Sequence, residues 1–290
     1  MAENNGQLGA VSKNLIRSGV ITVLLLIIFL GLAFLADALF KPVFSGESLL
    51  WLGFGMSVCP ALIWLFFFYI QDRREPEPKG MVIEVFILGG LVAAAVGIPL
   101  LNNVFKLSSW MYDSPGVNLF AAILVVGFSQ EFLKFAAVRF SIFKSREFDE
   151  LTDGIVYATA AGLGYATVLN FEFIISSGGA GLGMAAIRLT LTALAQASFA
   201  GITGYFLGKE KMEKQPAWWL AAGLGLAAIV NGIFYTLWGN LSTATLVGEN
   251  ALVNPWLGLI LAVVIALVVM GTLSFFISRD QLQVSKRKGG

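Results

Sequence analysis

Apolar residues in this chain fall into blocks close to the ~20 consecutive residues that a helix needs to cross the hydrocarbon core of a bilayer. The blocks cover residues 19–40, 49–70, 81–104, 118–140, 153–175, 186–207, 217–238 and 255–277. A chain that is 57% hydrophobic and 13% charged cannot hide that much apolar surface in one aqueous core, since soluble domains carry about 25% charged residues. The expected fold is therefore all-α: a polytopic membrane bundle of about eight transmembrane helices, forming one membrane domain over residues 1–290.

The polar connections sort by charge. Lys13 and Arg17 precede the first block, and Arg73, Arg74 and Lys79 lie between the second and third. Arg139, Lys144 and Arg146 lie between the fourth and fifth, and Lys209, Lys211 and Lys214 between the sixth and seventh. Arg279, Lys286, Arg287 and Lys288 follow the eighth. The alternate connections hold little beyond Lys41 and Lys106, with Arg188 near a span edge. The positive-inside rule then places both termini in the cytoplasm. Ala36-Asp37-Ala38 resembles a small-residue signal cleavage site. The apolar run before it is longer than the usual 7–15-residue signal core, so the first span is expected to be retained. The basic run Lys286–Lys288 reads as a topogenic or lipid-facing anchor, with membrane lipid as its partner.

Several function classes are excluded. A net charge of +1 argues against a general nucleic-acid binder. The chain has no histidine and a single cysteine, Cys59, inside an apolar block. An intrachain disulfide, a cysteine-based zinc site, an imidazole base and a Ser-His triad are all ruled out. No metal and no other cofactor is expected.

Ionisable side chains inside spans are costly and mark candidate sites. Glu131 and Lys134 sit three apart, so they share a helix face and can pair. Either the carboxylate is held for catalysis, or the pair neutralises itself and fixes helix packing. Asp153 begins the fifth block, where a cap is the plainer role. Glu172 reads as a water-exposed boundary residue. Asn170, Gln196 and Asn231 are neutral amides, able to bond between helices but not to act as bases at neutral pH. Gly154, Ala158, Gly162 and Ala166 recur every four residues, as do Ala193, Ala197 and Gly201. Such ridges let helix backbones approach closely in lipid. The fourth to seventh spans are expected to form one tight bundle, with Glu131, Asn170, Gln196 and Asn231 pointing inward.

Taken in order, these motifs resemble the PrsW family of bacterial intramembrane proteases, related to the CAAX prenyl proteases. The likeness begins at Glu75-Pro76-Glu77-Pro78, similar to the family's EPEP turn, and continues at Gln130-Glu131-Phe132-Leu133-Lys134, similar to Glu-Glu-x-x-Lys. It runs on through Arg146-Glu147-Phe148-Asp149-Glu150, Asp153-Gly154-Ile155-Val156-Tyr157 and Ala161-Gly162-Leu163-Gly164-Tyr165, where the family ends in Phe. Gly201-Ile202-Thr203-Gly204-Tyr205-Phe206-Leu207-Gly208 matches a further segment, so the likeness covers about residues 70–240. Five positions in these motifs depart from the pattern. Gln130 replaces the first of two glutamates, and Leu169-Asn170 replaces a Glu-Asn pair. Gln196 and Asn231 stand where the family has histidines, with Tyr235 at a family aspartate.

The resemblance implies a bacterial cytoplasmic membrane and partners that are transmembrane protein segments. Glu131 is the one surviving candidate catalytic carboxylate, with Lys134 as its ion-pair partner. Asp153, Asn170, Glu75 and Glu77 are expected in structural or binding roles. The leading expectation is a catalytically degenerate member that binds transmembrane segments or acts as a scaffold. A second is an active endopeptidase with Glu131 as general base and Glu172, three positions after the family glutamate replaced by Leu169, as a displaced second carboxylate. A third is a small-molecule transporter, although the chain has no internal repeat to support it.

Overall fold

A computed structural model describes residues 2–40, 46–71, 77–177, 181–216, 218–244 and 255–288. Among these residues there is no strand. The chain runs through α1 (Ala2–Phe40), α2 (Gly46–Gln71) and α3 (Lys79–Val92), then α4 (Pro115–Phe120), α5 (Phe128–Phe140) and α6 (Leu151–Ser176). It ends with α7 (Leu182–Glu213), α8 (Trp218–Ala244) and α9 (Pro255–Lys288). Helix α3 continues through π-helical turns at Ala93–Gly97 and Leu100–Val104, and α4 passes into α5 through a π-helical segment, Ala121–Gly127.

Among the described residues, 8 stretches are long and apolar enough to cross a membrane. They match the apolar blocks to within a few residues, except that α7 runs on to Glu213. The chain is an integral membrane protein.

Local chemistry explains where the central helices start. Glu150 and Asp153 form a capping box at the head of α6. The Asp153 carboxylate accepts from the Asp149 and Glu150 amides at 2.8 and 2.6 Å. Those donors would otherwise be among the orphans of a helix N-terminus. Helix α7 is capped from far away in sequence: the Leu182 and Gly183 amides donate to the Asp37 carboxylate at 2.8 and 2.7 Å. The residue inside the apparent cleavage motif thus ties α1 to α7. Ala33, Leu182 and Ala186 pack beside it with Phe29 and Leu30.

Helix α7 is the axis of the bundle. Of its most apolar window 89% is buried, against 11% for α1. The small-residue ridge of α6 lies against it as expected. Gly154 meets the backbone of Gly204 and Gly208, and a Cβ at Gly162 would lie 2.7 Å from the Gln196 carbonyl oxygen. The facing stripe on α7 includes Gln196, Ala200, Gly204 and Gly208. Gly201 lies beside Thr159 and Ile155 of α6 and Leu273 of α9, while Ala193 and Ala197 pack with Ala61 of α2 and with Leu163 and Ala166 of α6. A helix surrounded on all sides needs small residues on more than one face.

Candidate functional site

Three residues after the π-helical segment come Gln130 and Glu131, on the first turn of α5. A π-turn widens the helix and shifts the register of the residues beyond it, and such turns concentrate at functional sites. Here the widened stretch is also where α8 comes closest. Gly127 abuts the Ala228 carbonyl, and Gly232 abuts Ile123, so neither position leaves room for a side chain. That contact brings Asn231, the neighbour of Gly232, onto the polar face of α5.

Five of the residues singled out from sequence then meet in one closed ring. Lys134 Nζ donates to Glu131 Oε1 at 2.6 Å and to Gln196 Oε1 at 2.7 Å. A longer contact of 3.4 Å reaches the Gln196 carbonyl. Gln196 Nε2 donates to Gln130 Oε1 at 2.9 Å. Asn231 Nδ2 donates to Gln130 Oε1 at 3.1 Å and to Glu131 Oε1 at 2.7 Å. Glu131 is 0% exposed and Lys134 1%, and the Phe199 ring lies 5.8 Å from the ammonium. The ammonium uses its three donors and the Asn231 amide its two. Glu131 Oε2 is left over, buried and without a partner among the described residues.

The other expected residues lie elsewhere. Leu169 packs beside Ala93, Leu133 and Tyr165, outside the ring. Asn170 is buried, and its amide donates to the Leu189 carbonyl at 3.0 Å, linking α6 to α7. Glu172 is exposed near the end of α6. Glu77 accepts from the Tyr157 hydroxyl, near the start of α6 and close to the Asp153 capping box. Lys211 holds the adjoining connection by donating to the Phe143 and Ser145 carbonyls at 2.5 and 3.0 Å. Glu75 lies outside the described residues. Two polar groups have no signal in the sequence that marks them. The Tyr165 hydroxyl is buried without a partner, and Arg188 carries a buried, unpartnered Nε.

The sequence model of the PrsW family of intramembrane metalloproteases matches residues 77–273. The chain belongs to this family. It is 31% identical over 204 residues to Protease PrsW of Oceanobacillus iheyensis, covering 69% of this chain and 89% of that relative. With Protease PrsW of Bacillus subtilis it shares 30% identity over 179 residues, or 61% of this chain and 78% of the relative. No solved structure matches the chain.

The family's description names a metal, and the donor set of this PrsW member does not fit one. Among the described residues no group of three or more His, Cys, Asp or Glu side chains converges. A zinc site takes about three strong ligands and a water. The ring offers one carboxylate and three carboxamides, which are poor zinc ligands. A cation is also in place already: the Lys134 ammonium lies within hydrogen-bond distance of both Glu131 Oε1 and Gln196 Oε1. A divalent ion between those two oxygens would meet a positive charge at contact distance. The orphaned Glu131 Oε2 supplies one ligand atom only.

Proposed function

We propose that this PrsW-family protein keeps the intramembrane site of its relatives but has lost peptide hydrolysis, and that it binds transmembrane segments of other proteins without cutting them. The observation that carries this reading is the closed ring of Gln130, Glu131, Lys134, Gln196 and Asn231. Hydrolysis of a peptide bond needs a base to activate water and an acid to protonate the leaving amine. Two groups tuned to different proton affinities normally divide that work. The ring holds one carboxylate, bound to an ammonium, and amides that cannot act as acids or bases at neutral pH. Its parts stabilise one another instead of a reacting substrate. Carboxamides in place of acids and imidazoles preserve the shape and the hydrogen bonding of a polar cluster while removing its chemistry.

One observation favours a second reading, an active endopeptidase with a reduced site: Glu131 Oε2 is free of partners among the described residues. A carboxylate with one free oxygen can still take a proton. The two readings separate when the full-length chain is purified from native membranes and the N-termini of the membrane proteins that accompany it are mapped. The proposal expects intact partners. Partner fragments whose new N-termini disappear in the Glu131→Gln variant contradict it and support the second reading.

A further inference from the structure

Arg188 sits on α7, eight residues before Gln196 on the same helix. At 1.5 Å per residue that is about 12 Å along the axis and about 80° around it. Its guanidinium is clamped between two rings, with Phe173 of α6 centred 4.0 Å away and Trp238 of α8 4.5 Å away. Trp238 is held in turn by an edge contact with Tyr235. No hydrogen bond or ion pair to the guanidinium exists among the described residues. Nε is buried and unpartnered. Glu172 and Tyr235 lie within electrostatic reach, yet neither bonds to it.

A guanidinium inside a span is expensive unless an anion compensates it. Two aromatic faces offset part of that cost through the ring quadrupoles. They also fix the plane of the fork and leave its terminal donors unpaired. A rigid fork with free paired donors is suited to a carboxylate, which accepts two parallel N–H bonds. A lipid headgroup would favour a cation on the outer circumference of the bundle. Arg188 instead lies between rings from α6 and α8, on the helix that supplies Gln196.

We propose that Arg188 recognises a carboxylate side chain on the membrane segment bound at the Gln130–Glu131 ring. A helical segment covers about 12 Å in about eight residues, so the acid lies that far from the part of the segment held at the ring. This inference rests on the reading that the ring site binds membrane segments, and it names the chemistry of those segments.

The test uses the full chain in phosphatidylcholine vesicles and two synthetic single-span peptides, each a leucine helix of about 20 residues with a photo-cross-linking group. One peptide carries Asp about eight residues from that group, about 12 Å along the helix, and the other carries Asn. The wild-type chain is expected to capture the Asp peptide about tenfold more tightly, as one charge-assisted hydrogen bond can supply. Arg188→Gln is expected to abolish the preference and leave capture of the Asn peptide unchanged, which also shows that the variant is folded. Arg188→Lys is expected to keep part of it. Equal capture of the two peptides overturns the inference and leaves the binding reading standing. So does a preference that survives Arg188→Gln. Loss of the preference when phosphatidylglycerol is added assigns Arg188 to lipid phosphate and overturns the inference as well. Capture of neither peptide removes the binding reading and this inference with it.

Discussion

At the scale of single residues, the ring is held by the Glu131–Lys134 pair, and its energetics are those of a buried ion pair. Removing one member leaves the other charge uncompensated and costs about 3–5 kcal/mol. Lys134→Met and Glu131→Gln are each expected to lower stability in denaturation from detergent. The double variant is expected to be less damaged than the sum of the two, with a coupling of about 1–3 kcal/mol. Additive losses in that cycle would mean that the 2.6 Å contact carries little energy. Much of the ring is legible in the sequence. The spacing of Glu131 and Lys134 predicts their pairing, and motif order brings Gln130, Gln196 and Asn231 to the same site. The Lys134 bond to Gln196 is not legible, because it joins residues on separate helices whose rotation no single sequence fixes. The partner of Asn170 is hidden for the same reason. Its amide satisfies a backbone carbonyl of α7, and a polar residue in a span finds whichever partner is within reach. Arg188 reads as an edge residue in the sequence because its aromatic clamp is assembled from separate helices.

Between helices, the site depends on close backbone contact. Gly127 and Gly232 have no room for a Cβ, and α8 reaches the ring only because of that. Gly232→Val is expected to push α8 away from the π-helical segment. Overpacking of this kind costs about 1–3 kcal/mol, and the Asn231 bonds to Gln130 and Glu131 are expected to go first. Hydrogen exchange at the start of α5 should rise in that variant ahead of global unfolding; unchanged exchange there would contradict the coupling of the two elements. At the other end of α7, Asp37→Ala removes both acceptors from the Leu182 and Gly183 amides. The expected loss is about 0.5–2 kcal/mol, the ordinary cost of a lost helix cap, measurable as a lower midpoint of unfolding. Helix existence and limits are readable from apolar block length. The π-helical turns are not, since adding a residue to a turn leaves hydropathy unchanged. The Asp37 cap is hidden for a different reason. The middle residue of what reads locally as a cleavage motif caps a helix that starts 145 positions away.

For the whole molecule, the bundle buries α7 most deeply and leaves the large side chains of α1, α2 and α9 facing outward, among them Ile27, Trp51 and Leu267. In lipid such faces carry no penalty, and the polar ring can sit at the centre without a water-soluble core around it. Family membership is legible from the ordered motifs, because several short stretches keep the family's sequence while the site positions differ. The donor set of the ring leads to one global expectation. Purified full-length protein is expected to carry no stoichiometric zinc through gel filtration, and zinc retained in a Glu131-dependent manner would contradict the account.

The most direct test of catalytic silence needs no knowledge of a partner. New protein N-termini are mapped by mass spectrometry in the membrane fraction of the native host, in three strains: a deletion, the deletion carrying the wild-type chain, and the deletion carrying Glu131→Gln at equal expression. The account predicts the same set of N-termini in all three. Cleavage products that require the wild-type chain and vanish with Glu131→Gln would show a working protease built on one carboxylate, and would contradict it.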